Sequence, residues 1–102
     1  MKSLDIFLRA LEHTYKERNI ILIPRWYSVR DEKFPAYMTY SVEVIELCSG
    51  EKTQRFMVQH KENMSENSYI TKEEKESVIK ENLTKEIMCV MLKYYMYGNT
   101  VQ

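Results

Sequence analysis

Two histidines and two cysteines are the residues of this 102-residue chain best suited to hold a soft metal or act as a nucleophile, so their spacing decides how much chemistry can be read. A zinc site pairs ligands on one local turn, as in CxxC or HxxxH, so that two donors point at one ion. His13, Cys48, His60 and Cys89 form no such pair, and no metal is expected. A thiol–imidazole pair would have to join Cys48, in a turn, to His60, at the far end of a hairpin. Paired antiparallel strands would hold those two well apart. Aspartate occurs only at Asp5 and Asp31, and no glycine-rich loop is available to cradle phosphate. The many glutamates of the C-terminal third fall into i,i+4 arrangements with lysine, such as Lys72–Glu76, Glu76–Lys80 and Glu81–Lys85. That is the pattern of a solvated helix face. The residue types point away from an enzyme, and no cofactor is expected.

Two other stretches have the composition of contact surfaces. Arg25-Trp26-Tyr27-Ser28-Val29-Arg30 mixes basic and aromatic residues on a strand, as single-strand binders do to stack bases and neutralise phosphates. Arg25, Trp26, Tyr27 and Arg30 are the candidates for that role. The second stretch, Ile87 to Tyr97, is apolar or aromatic at every position except Lys93. A helix that is apolar all round is normally buried all round, and so short a chain has little protein with which to bury it. Tyrosine is enriched at interfaces and methionine suits adaptable contacts. Met88, Met91, Leu92, Tyr95 and Tyr97 are therefore the expected contact residues. Membrane-surface attachment would want several basic residues flanking the apolar face, and Lys93 stands alone there.

Composition narrows the class. With 15 basic and 15 acidic residues the chain has no formal charge, so it lacks the basic excess of a nonspecific nucleic-acid binder. Hydrophobic residues make up 44% and charged residues 29%, as in an ordinary globular domain. Asp5, Arg9 and Glu12 interrupt the apolar run that a signal peptide would need. No apolar stretch approaches the roughly 20 residues that span a bilayer, so the expected compartment is the cytoplasm, with both cysteines reduced. Scarce glycine and alanine beside plentiful lysine, isoleucine, tyrosine and glutamate suggest an AT-rich bacterial or phage genome.

The elements that must position these residues follow from periodicity. Leu4, Phe7, Leu8, Leu11 and Tyr15 predict a helix over about Leu4 to Arg18, with Ser3 as its N-cap. Ile20-Ile21-Leu22-Ile23 begins a strand that Pro24 marks as an edge, and Trp26, Tyr27 and Val29 continue it. A second strand runs from Tyr37 to Leu47, where a break in alternation at Ile45-Glu46-Leu47 suggests a bulge or the strand's end. Cys48-Ser49-Gly50-Glu51 is a turn, and a third strand covers about Lys52 to His60. Thr71-Lys72-Glu73-Glu74 has capping-box spacing for a helix from Lys72 to Tyr97, with Gly98 as its stop.

The resulting order, α-β-β-β-α, resembles that of the double-stranded-RNA-binding domain. That family opens its second helix on a lysine cluster of the form Lys-Lys-x-Ala-Lys. The matching stretch here is Thr71-Lys72-Glu73-Glu74-Lys75-Glu76, with three glutamates, so the likeness is one of element order alone. The expectation is one α+β domain over residues 1–102, a three-stranded antiparallel sheet with two helices packed on one face. Its expected role is a small intracellular non-enzymatic protein-interaction module, homodimeric or docking through the C-terminal helix. A phage or mobile-element modulator of a host protein would have this character. The alternative is a single-stranded nucleic-acid-binding protein using the Arg25-Trp26-Tyr27 strand.

Overall fold

Leu4, Leu8 and Leu11 recur on one side of a helical repeat. In the computed structural model, which describes residues 2–65 and 70–97, they form the buried stripe of α1 (Lys2–Thr14). The helix begins earlier than the sequence suggests, so Ser3 lies in its first turn and does not cap it. It also ends earlier. Lys16–Arg18 make a separate 3-10 turn, and Asn19 then adopts a left-handed conformation (φ 53°) that asparagine tolerates better than most residues.

Three strands follow, β1 (Ile20–Arg30), β2 (Tyr37–Cys48) and β3 (Glu51–Asn63), and α2 (Lys72–Met96) completes the order α-β-β-β-α. The sheet is antiparallel with order β1-β2-β3, so β2 is central and the other two are edges. Between β2 and β3, Ser49 and Gly50 sit at φ 54° and 83°. Two successive positive φ values give a tight loop whose twist matches the flanking strands. Between β1 and β2, Asp31 Oδ1 accepts from the amides of Lys33 (2.9 Å) and Phe34 (3.0 Å). The Phe34 amide, then the Lys61 ammonium at 3.1 Å and the Lys33 amide, hold the Asp31 carboxyl below its ordinary range.

Helix α2 starts as its sequence predicts, with Thr71 Oγ1 accepting from the Glu74 amide at 3.1 Å. The Glu74 carboxylate takes the Thr71 hydroxyl at 3.3 Å, where a full capping box would use the Thr71 amide. At the other end the Tyr97 amide donates to the Lys93 carbonyl, and Gly98 lies outside the described residues.

Both helices pack on the same face of the sheet. Leu22, Tyr40, Val42, Val44, Phe56 and Val58 rise from the strands to meet the leucines of α1 and Ile79, Leu83, Ile87, Met91 and Tyr95 of α2. Each such side chain contributes roughly 1.5–3 kcal/mol by leaving water. Tyr40 donates its hydroxyl to Glu76 at 2.7 Å. Burial, reinforced by that carboxylate, pushes its phenol up to about 12.

The strand pattern corrects one expectation. β2 alternates without a break through Cys48, and Glu46 does point at the helices, where it is 2% exposed. The irregularity belongs to β3, where pairing steps from Glu46↔Gln54 to Leu47↔Lys52 and leaves Thr53 as the extra residue of a bulge. That extra residue is what makes the buried carboxylate tolerable. Thr53 Oγ1 donates to Glu46 Oε1 at 2.6 Å, and Tyr95 Oη donates to Glu46 Oε2.

Candidate interaction surface

Side chains alternate across a strand, so the residues between those of the core form the opposite face of the sheet. There Ile21 pairs with Leu47 and Ile23 with Ile45, while Glu43 lies between Arg25 on β1 and Met57 on β3. Among the described residues no helix or strand covers this face. Ile21 is 53% exposed, Ile23 39%, Val29 63% and Met57 40%. β-Branched and other large apolar groups on a flat, hydrogen-bonded surface cannot collapse onto one another, so they stay in contact with water.

The centre of the face is polar and fixed. Glu43 is only 5% exposed, accepting from the Arg55 Nε–H and from the Tyr27 hydroxyl at 3.0 Å. The Arg55 hydrogen bond comes first among the influences holding its carboxyl below the ordinary glutamate range. The Arg25 guanidinium lies 5.6 Å from the centroid of the Tyr27 ring, and the Lys61 ammonium 5.3 Å from that of Tyr37. Arg25, Lys52, Arg55 and Lys61 share the face with Glu43, which pairs with Arg55, and with Asp31, which pairs with Lys61. Its character is apolar with a mixed rim, to which Arg25 and Lys52 add basic charge. Toward the β1–β2 connection the surface dips into a cavity of about 590 Å³ lined in part by Tyr27, Val29, Thr39, Ser41, Met57 and Gln59.

The C-terminal helix presents less than its composition promised. Met91 and Tyr95 are buried in the chain's own core, so neither can serve as a contact residue without unfolding it. Tyr95 is enclosed by Tyr15 and Tyr94, each with its ring centroid 5.1 Å away, by Phe56 at 6.0 Å and by Arg18 over its ring. Burial, followed by the hydrogen bond to Glu46, raises its phenol far above the ordinary range. Met88 is half-buried against the core, while Leu92 and Tyr97 remain exposed. The widened apolar stripe is therefore divided: Ile87, Met91 and Tyr95 are absorbed within the monomer, while Val90, Leu92, Met96 and Tyr97 stay exposed.

The basic–aromatic strand is divided by the same alternation. Arg25 and Tyr27 lie on the open face, but Trp26 and Arg30 take the helix side, opposite Val42 and Met38. Trp26 is half-buried against the core, and Arg30 donates to the Pro35 carbonyl at 2.6 Å. The four do not converge. Cys48 pairs with Glu51 and His60 with Tyr40, which sets thiol and imidazole roughly 25–30 Å apart along the sheet. The Cys48 thiol donates to the Arg18 carbonyl at 3.0 Å. Among the described residues no three His, Cys, Asp or Glu side chains could share a metal ion, and no helix is long and apolar enough to cross a membrane.

No protein family, curated protein or solved structure was found to match this chain. The surface must be read from its own residues. Ile21, Ile23, Ile45, Leu47 and Met57 escaped the sequence reading as a site. The signal was available in Ile20-Ile21-Leu22-Ile23, a run apolar on both strand faces, paired with Ile45 and Leu47 on the face the helices do not reach.

Proposed function

We propose that this protein is a small non-enzymatic protein-interaction module whose contact surface is the open face of its sheet. The observation that carries this reading is the exposure of Ile21, Ile23, Val29 and Met57 on a rigid sheet. An apolar patch rimmed by charge is how docking surfaces are built. Because Arg25 and Lys52 add basic charge to the rim, the fitting partner is a protein surface with an apolar centre and an acidic periphery. The two free cysteines suit a reducing cytoplasm. The composition suits a bacterial or phage product acting on a host protein.

The test compares surfaces. Ile23→Asp and Met57→Asp put charge into the centre of the face while leaving the core intact, so far-ultraviolet circular dichroism should match the wild type. Capture of a specific partner from source-cell lysate on the immobilised protein should be lost in both variants and kept in Leu92→Glu. Equal capture by wild type and Ile23→Asp would remove the sheet face from consideration.

A second reading, single-stranded nucleic acid, is favoured by one observation: Arg25 and Lys61 each lie over a tyrosine ring on the same face as Lys52 and Arg55. It predicts salt-sensitive oligonucleotide binding that weakens on Arg25→Ala and is indifferent to Trp26→Phe, because Trp26 faces the helices. No retention on an oligonucleotide column at low salt would dispose of it.

A further inference from the structure

The two edges of the sheet are treated differently. The outer edge of β1 is closed by α1: Glu12 Oε2 accepts from the Leu22 amide at 2.6 Å, and the Arg9 guanidinium donates to the Leu22 carbonyl at 2.6 Å. Two residues on, Pro24 removes a further donor from the ladder. Arg9 and Glu12 are themselves paired at 2.8 Å, so the closure is one connected unit. A further strand cannot add there.

β3 is the contrasting edge. It contains no proline, and in an antiparallel ladder every second residue turns its N–H and C=O away from β2. Among the described residues, side chains reach two of its backbone groups. Gln54 accepts from the Arg55 amide at 3.0 Å, and Lys75 donates to the Asn63 carbonyl at 3.0 Å. The stretch between, centred on Met57 to Lys61, is capped by no side chain among the described residues. Beside it lies a cleft of about 380 Å³ between β3 and α2, lined by the apolar Val78, Ile79 and Leu83 together with polar side chains that include His60, Glu62, Lys75 and Glu86. Continuing along α2 from Ile79 at helical spacing, Glu86 and Val90 fall on the same line, and Val78 and Val90 are both exposed.

We infer that this side of the molecule is completed by a second copy of the chain, with the two β3 strands pairing antiparallel about Met57 to make a continuous six-stranded sheet. This contact uses the backbone edge of β3 and the partner-binding face proposed above uses side chains; Met57 belongs to both, so Ile23→Asp is the variant that tests the face alone. Three observations choose a second copy over a foreign strand. First, the sequence of β3 is compatible with itself in this register: Phe56 meets Val58, Gln54 meets His60, Arg55 meets Gln59, and no like charges oppose. Centring the pair on Val58 would set Arg55 against Lys61, and centring it on Arg55 would set that residue against itself. A centre at Phe56 shortens the overlap, because the bulge at Thr53 ends the regular stretch of β3.

Second, pairing about an odd residue keeps even with even, so the helices of both copies stay on one face and the open faces form one continuous surface. Third, α2 packs against both β2 and β3. The two-fold axis lies just outside β3, so the α2 helices of the two copies become neighbours across it, with the exposed Val90 flank of each toward the cleft of the other.

The test is mass and register together. Light scattering after size exclusion should give twice 12.3 kDa at high micromolar concentration. Val90→Glu should raise the dissociation constant at least about tenfold, by stranding a charge between the helices. Leu92→Glu, on the other flank of α2, should leave the dimer intact. In a Cys48→Ser/Cys89→Ser background, Met57→Cys should cross-link on mild oxidation, since directly opposed residues bring their Cα atoms to about 5.5 Å. Gln59→Cys should not, because its own counterpart is displaced by about 13 Å along the strand. A monomeric wild type would overturn the inference. So would a dimer broken by Leu92→Glu and not by Val90→Glu, or one in which Gln59→Cys cross-links and Met57→Cys does not.

Discussion

β2 carries a buried glutamate on each side of the sheet, and the two are held by different means. On the helix side Glu46 meets, among the described residues, two neutral donors, the hydroxyls of Tyr95 and Thr53. On the open side Glu43 meets a guanidinium, that of Arg55, together with the Tyr27 hydroxyl. The covered face keeps water out with apolar side chains and accommodates its carboxylate through one helix residue and one bulge. The open face excludes water only locally, beneath Arg55 and Tyr27, and leaves its isoleucines outside. The open face is therefore a surface with its charges already fixed in place, and docking there need not reorganise them.

The sharpest way to break this comparison is to remove the same apolar bulk from each face. Leu83→Ala, at a fully buried site, should cost about 2–5 kcal/mol in urea unfolding. Ile23→Ala should stay within about 0.5 kcal/mol of the wild type, as surface substitutions do. A large loss at Ile23 would mean that the open face belongs to the core after all.

The carboxylates give the next largest effects. Tyr95→Phe leaves Glu46 with Thr53 alone in an apolar setting, and should destabilise by about 1–3 kcal/mol. Arg55→Ala strands Glu43 less completely, because Arg55 is half exposed and water can enter, so about 1–2 kcal/mol is expected from the same urea series. If Arg55→Ala proved the more damaging of the two, the open-face pair would have to be counted as a buried ion pair.

Acid should separate them further. The folded-state carboxyl of Glu43 is held low, so its contribution is present above the ordinary glutamate range and lost as pH falls through the lower folded value. The stability gap between wild type and Arg55→Ala should accordingly close in unfolding curves taken below about pH 4. A further effect is expected at alkaline pH. The Tyr40 phenol is raised from 10 to about 12 in the folded state, so its share of stability is intact below pH 10 and lost as pH rises toward 12. Tyr40→Phe should lack that loss in melts across the same interval.

The fold was legible where the signals were local. The 3.6-residue spacing of Leu4, Leu8 and Leu11, the alternation from Met38 to Val44, the Ser49-Gly50 turn and the Thr71 cap each fix their element within a few residues. What was not legible depended on contacts distant in sequence. Glu46 reads as a fault in the strand because its partner Tyr95 lies 49 positions away. Tyr95 and Met91 read as surplus because Tyr15, Arg18 and Phe56, which enclose the tyrosine, lie far earlier in the chain. The open face was half legible. Counting two helices against a three-stranded sheet shows that one face stays bare, but choosing that face requires the pairing of Ile21 and Ile23 with Leu47 and Ile45.

The hydrogen bond from Tyr15 to the Tyr95 carbonyl, at 3.1 Å, spans 80 positions of the chain. It fastens the first helix to the last turn of the second, with the sheet beneath both. During synthesis the strands are complete before this lock can close, so α1 can dock its leucines over β1 but gains this second fastening only when α2 has emerged. The nascent chain thus passes through a stage in which the open face and the part of the other face that α2 will cover are both bare. Its folding is expected to be concerted and late, and shielding by a chaperone would matter most in that interval.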